Sequence, residues 1–436
     1  MVDVPVDTAR PGALGQQMYE LIRVLYPLCR SITGDGTRQT LRIVGRYLPL
    51  EIHEIASGTP VFDWTVPKEW QVRDAYIKSP SGEKIVDFAQ CNLHLLNYSA
   101  PVRATVPLST LKEHLFSLPD QPDWIPYRTS YYNENWGFCL TQKQLESLPE
   151  GNYDVRIDTA LKPGYLTYGE YYLPGETTDE VLFSCHVCHP SLCNDNLSGI
   201  SLVTHLAKYL QSVSRRYSYR FLFIPGTIGA ITWLSCNHSR VANIKHGLVA
   251  ACVGDPGRIH YKKSRRSDAE IDHAVIHTLR HSGQDHQILD FTPYGYDERQ
   301  YCSPGFNLPI GSLTRTPHGR YPEYHTSADN LDLVRPESLA DSFRMYLAVV
   351  ELLETNRAYV NTRPYGEPQL GKRGLYRTLG GISDAKSEEM AMLWVLNLSD
   401  GSHTLLDIAE RAQLAYPLIQ RAAERLREHS LLEEAK

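Results

Sequence analysis

Between residues 178 and 355 short apolar runs alternate with longer segments of helical periodicity, and this alternation constrains the chain more than any other feature. VLFSC reads as a strand, LSGISLVTHLAKYLQSV as a helix, YRFLFIP and GLVAACVGD as strands, followed later by PIGSLTR and the helix ESLADSFRMYLAVVELLE. Short, almost uninterrupted apolar runs suit strands buried on both faces. Strands separated by helices predict a mainly parallel sheet with helices on both faces, an α/β fold. In open sheets of this kind ligands bind outside the carboxyl ends of the strands.

The flanking regions differ in texture. Residues 16–48 are helical in pattern, with Met18, Leu21, Ile22 and Leu25 at helix spacing, broken by the loop SITGDGT. From about 60 to 175, alternating runs rich in Val, Ile, Tyr and Trp predict β-sheet. Residues 358–386 are rich in Gly and Pro and read as a linker, and the three helical units after it resemble a winged helix. At 436 residues the chain exceeds what one core usually serves, so more than one domain is expected.

A net charge of −6 gives no global attraction to phosphate backbones or anionic lipid, so peptide-like or small-molecule partners are favoured over nucleic acid. The N-terminus MVDVPVDTARPGALGQQ lacks a basic segment followed by an apolar one, and no apolar run reaches the length of a membrane span. Nine scattered cysteines fit a reducing compartment. The expectation is a cytoplasmic protein without a membrane span, with a homo-oligomer left open.

The stretch SCHVCHPSLCNDNLSG, residues 184–199, begins where one strand ends and finishes where a helix starts. His186 leaves the strand first, and Asp195 lies in a tight turn before the helix, so both can face one cavity. Asp255 ends the strand GLVAACVGD, and His325 follows PIGSLTR through a short loop. Imidazole and carboxylate are zinc ligands, and these four groups all follow strands. Asp195 as a helix cap, or a thiolate site from Cys185, Cys188 and Cys193 with His189, are alternatives.

SCHVCHPSLCNDNLSG, VGDPG and YPEYHTSADN resemble, in order and context, the ligand motifs of the co-catalytic zinc aminopeptidases of the bacterial leucine aminopeptidase and glutamate carboxypeptidase type. RSITGDGTRQTL, SGTPVFDWTVPKEW, IPYRTSYY, WGFCL and GYDERQYCSPGFNLPIGSLTR extend the resemblance from about residue 16 to 432, to an aminopeptidase-like family with a nested β domain and a C-terminal winged helix. The resemblance implies an α/β core formed by residues 1–58 and 176–357, an inserted β-rich domain at 59–175, the linker at 358–386 and a winged helix at 387–436. It further implies that His186, Asp195 and Asp255 hold one Zn2+, with Asp195 bridging toward a second site that includes His325. The implied activity is hydrolysis of a peptide or amide, on a specialised biosynthetic intermediate.

The chain departs from that pattern after YRFLFIP. Where the zinc aminopeptidases carry two adjacent glutamates, this chain has Gly226 and Thr227, neither of which can act as a carboxylate. Glu298 and Glu323 are the expected substitutes for the catalytic base. The alternative is a non-hydrolytic metal or small-molecule binder whose winged helix docks a partner. Arg299 and Arg315 could recognise a substrate carboxylate through paired hydrogen bonds. Trp64, Trp70, Tyr131, Tyr132 and Trp136 are candidates to wall a pocket, against a plain core role. The last helix, QRAAERLREHSLLEE, mixes charge signs, which favours protein interaction over DNA reading.

Overall fold

A computed structural model describes residues 11–375 and 383–435; the leader-free reading of residues 1–10 and the expected linker residues 376–382 fall outside them. The chain divides into two compact units, one of residues up to Ser267 with Asp285–Arg344, the other of Asp268–Gln284 with Met345 onward. No helix among the described residues is long and apolar enough to cross a membrane.

The first unit is organised on an eight-stranded sheet: β1 (Glu51–Ala56), β2 (Tyr165–Leu173), β3 (Glu180–His186), β4 (Ser218–Ile224), β5 (Ile244–Ala250), β6 (Ile259–Lys262), β7 (His286–Leu289) and β8 (Ile310–Thr314). Their order is β1-β2-β4-β3-β5-β8-β6-β7, with β4, β3, β5 and β8 forming a continuous parallel block. Every residue of β3 and β4 is buried, as their apolar runs require of strands covered on both faces. The helices Gly199–Gln211 and Ile228–Cys236 follow β3 and β4.

A second, four-stranded antiparallel sheet is built from Glu69–Lys78, Lys84–Asp87, Val102–Pro107 and Asn152–Lys162. Tyr153, Val155 and Ile157 alternate inward along its longest strand, the period-2 pattern of a sheet with one buried face. The expected β-rich stretch 59–175 needs a correction at its end. Residues 165–173 are β2 of the central sheet, and β2 pairs antiparallel with both neighbours, so its texture matches that of the antiparallel strands before it.

A buried ionic cluster ties β2, β3 and β4 together. Arg220 Nε and Nη2 donate to the two Glu180 oxygens at 2.6 and 2.8 Å, and Nη1 pairs with Glu170. Trp233 Nε1 donates to the other Glu170 oxygen at 3.0 Å. Removing one member leaves a buried charge unmatched, so Arg220→Ala is expected to destabilise the unit by about 3–5 kcal/mol. A urea midpoint equal to that of the wild type would refute this.

In the second unit the strands Ala358–Asn361, Asp400–Thr404 and Leu432–Glu434 form a sheet with Ala358–Asn361 in the centre. The helices Ser383–Leu398, Leu405–Ala412 and Tyr416–Glu428 contribute Val395, Ile408, Ile419 and Leu426 to its core. The expected linker is therefore corrected: its first four residues are the central strand, because their unsatisfied backbone groups are met from both sides by strands far downstream. His277, on the helix Glu270–His281, accepts the Tyr416 backbone N–H at Nε2, 3.0 Å away. Burial pushes this imidazole down to about 4.

Because His277 takes up a proton less readily folded than unfolded, its contribution is present above an ordinary imidazole value of about 6.5 and falls away between there and about 4. Unfolding followed at pH 7 and pH 5 should show this unit weakened at the lower pH. His277→Gln should flatten that dependence.

Candidate metal centre

The site is assembled at the carboxyl ends of the parallel block. His186 is the last residue of β3, opposite Ile224 of β4. The chain then runs to the tight segment Cys193–Ser198, in which Asp195 (φ −110°, ψ 82°) and Asn196 (φ −146°, ψ 35°) are non-helical. A Cβ on Gly199 would lie 2.3 Å from the Ala250 carbonyl oxygen, so glycine is what lets this segment press against the end of β5. Ser191, Cys252 and His325 all adopt left-handed backbone with φ of 45°, 50° and 57°, a conformation that residues with a Cβ keep only where the surroundings impose it.

The segment is clamped by Asp329. Its carboxylate accepts the backbone N–H groups of Asn194 at 2.6 Å and Asp195 at 3.0 Å, and its carbonyl accepts that of Cys193 at 3.0 Å. Burial pushes the Asp329 carboxyl up to about 8. Asn194 in turn accepts the N–H groups of Gly254 and Asp255 at Oδ1 and donates to Asp255 Oδ2 at 3.0 Å.

Three imidazoles meet one carboxylate here. Asp195, 1 % exposed, has His186 Nε2 at 2.7 Å from Oδ1 and His325 Nε2 at 3.0 Å from Oδ2. His189 Nε2 lies 3.9 Å from Oδ2. One ligand atom from each of His186, His189 and Asp195 lies within 4.8 Å of the others. Burial opposes a charge on Asp195, but His189 and His186 outweigh it and hold the carboxyl well below its ordinary range. Burial depresses His189 far below the usual imidazole value; at His186 burial acts in the same direction, but Asp195 reverses it and the group is raised. The cluster is closed around His186 and opens at His325, whose side chain is 33 % exposed. Tyr127 packs edge-on against His189 and His325, and its N–H donates to the His325 carbonyl at 2.7 Å.

Of the four expected ligands, His186, Asp195 and His325 come together and Asp255 does not. All the acceptor capacity of Asp255 is taken up: Oδ1 by Gly257 N–H and the Thr316 hydroxyl, Oδ2 by Asn194 and Thr316 N–H. It braces the Cys193–Ser198 segment through Asn194. The place beside Asp195 goes to His189, which in the sequence belonged only to the thiolate alternative. Cys185, Cys188 and Cys193 are buried free thiols, and burial raises all three.

The expected base Glu298 is fully buried and held by Lys262 at 2.8 Å, and the Glu323 carboxylate makes no hydrogen bond to the cluster among the described residues. Arg315 spends its guanidinium on the carbonyls of Gly257 and Ser338. Arg299 lies over the Tyr294 ring at 5.5 Å. Of the aromatics, Trp70 is core, its Nε1 donating to the Ser99 carbonyl, whereas Trp64 and Tyr132 are exposed against each other. Asp297, beside Glu298, is buried with neither carboxylate oxygen hydrogen-bonded among the described residues, and burial pushes it up to about 7. A cavity of about 300 Å³ adjoins Tyr296 and His318, with His260, Lys262 and Glu298 in its wall.

This fold and site define an aminopeptidase-like α/β protein. The chain belongs to the family described as "Domain of unknown function (DUF4910)", which matches residues 19–356, and residues 357–434 match a winged helix-turn-helix family. A Clostridium acetobutylicum protein named for polysaccharide biosynthesis and an aminopeptidase-like domain is 53 % identical over 96 % of each chain. A solved structure from the same organism, titled as a peptidase, superposes with a TM-score of 0.94 at 50 % identity over 98 % of each chain. The zinc aminopeptidase of Bacillus subtilis shares the fold, with a TM-score of 0.58 at 13 % identity over 80 % of this chain and 96 % of that one.

If Asp329 is what fixes the Cys193–Ser198 segment, Asp329→Ala strips two buried N–H groups of their acceptor, at a cost of about 1–3 kcal/mol for each. Chemical unfolding of the purified variant measures this. Wild-type stability would show that the clamp is dispensable.

Proposed function

We propose that the protein is a zinc-dependent hydrolase of the aminopeptidase type, acting on a peptide or amide bond of a biosynthetic intermediate. The observation that carries this reading is the convergence of His186, His189 and His325 on the buried Asp195. Imidazole nitrogens and a carboxylate oxygen are the donor set that zinc prefers, and their burial and mutual spacing suit one such ion, with a second left open. Zinc held there would polarise a scissile carbonyl and bring the pKa of its water toward about 7.

The rest of the work falls to this chain's own groups. Asp195 holds His186 and His325 in orientation through its two oxygens, and Asp329 and Asn194 keep Asp195 in place. The cavity beside Tyr296 has room for one side-chain-sized group of a substrate. The name of the Clostridium relative supports the biosynthetic setting. In the winged helix, Arg425 is paired with Glu388 and Arg427 lies over Tyr359, so two of the last helix's three arginines are engaged within the module, which favours a protein partner over DNA.

Metal analysis of the purified protein should find zinc, and Asp195→Ala should lose it. Aminoacyl-anilides and dipeptides assayed with added zinc should be turned over, with activity reduced at least about 100-fold in His186→Ala. A full metal complement in the Asp195 variant would remove the site assignment. Gly226 and Thr227 favour a second reading, a metal-dependent binder without hydrolysis; zinc uptake with no turnover across the panel would select it.

A further inference from the structure

Asp297 is a buried carboxylate that the fold does not account for. The residue is 1 % exposed, and both of its carboxylate oxygens lack a hydrogen-bond partner among the described residues. It precedes the short helix Glu298–Tyr301, yet its side chain caps no helical N–H. Its neighbours hold it in place. Tyr296 stacks on His186 with ring centres 5.8 Å apart, its hydroxyl 3.0 Å from Cys252 Sγ, and Glu298 is tied to Lys262.

What Asp297 faces is Gly226. A Cβ built on that glycine would lie 3.5 Å from each Asp297 oxygen and 3.1 Å from the Cβ of His186. Any side chain at position 226 would intrude on the space between the carboxylate and the histidine. A carboxylate buried without a donor is unfavourable unless a cation or a proton meets it. Across Gly226 the nearest residue of the cluster is His186.

We propose that Asp297 is a second carboxylate of the metal centre, reaching the bound cation on the His186 side through the space that Gly226 leaves open. The proposal rests on the metal reading above and extends it: the acidic group that Gly226 and Thr227 cannot supply comes from the loop before Glu298. Glu298, pinned by Lys262, serves to fix that loop.

Zinc titration by calorimetry on the full chain, with thermal melts of the metal-free protein, tests it. Asp297→Asn keeps the shape and removes the charge, so the metal-free variant should melt no lower than the wild type. Its zinc affinity should fall about 10-fold or more, or its stoichiometry should drop by one ion, and zinc should raise its melting temperature less. Gly226→Ala, which crowds the same space, should also weaken zinc binding while removing no ligand. If Asp297→Asn binds zinc as the wild type does while Asp195→Ala does not, this proposal is overturned and the metal reading stands. A metal-free Asp297→Asn that melts well below the wild type assigns Asp297 a structural role and overturns it as well. A wild type that takes up no zinc overturns both.

Discussion

One buried negative charge organises the site. Asp195 lies out of contact with water, where an isolated carboxylate would be strongly disfavoured, and it is tolerated because imidazoles approach it from several sides. Those imidazoles come from the end of β3, from the loop after it and from the segment after β8. The parallel block is what brings these places together, because parallel strands deliver all their carboxyl ends to the same edge.

Around that charge lies a shell of residues that hold its segment in place. Asp329, Asn194 and Asp255 form a connected set in which almost every polar atom meets a backbone N–H or another member. Such sets are rigid because every partner is already committed. The left-handed backbone at Ser191, Cys252 and His325 marks where that rigidity is imposed on the chain. The Arg220 cluster plays the corresponding part inside the sheet, joining three strands by charge where apolar packing alone would not fix their register.

Much of this was legible in the sequence. The apolar runs gave away the parallel block, since strands covered on both faces need little alternation, and the strand ends pointed to His186, Asp195 and His325. Asp255 also follows a strand, but a position after a strand says nothing about how many donors will surround a side chain. His189 was obscured by three neighbouring cysteines, which turned attention to thiolates. Asp297 could not be singled out, because its importance lies in the absence of partners, and that is visible only once every neighbour has been placed. The strand Ala358–Asn361 was hidden in a stretch whose Gly and Pro content reads as a linker, and its pairing partners lie some way further along the chain.

The backbone bond from Tyr127 to His325 joins a segment outside the central sheet to the exposed end of the cluster. Tyr127 sits far from His186 and Asp195 in the chain, yet its ring packs against both His189 and His325. A shift of the backbone in that segment would therefore be felt first at His325, the exposed end of the cluster, and last at the buried His186.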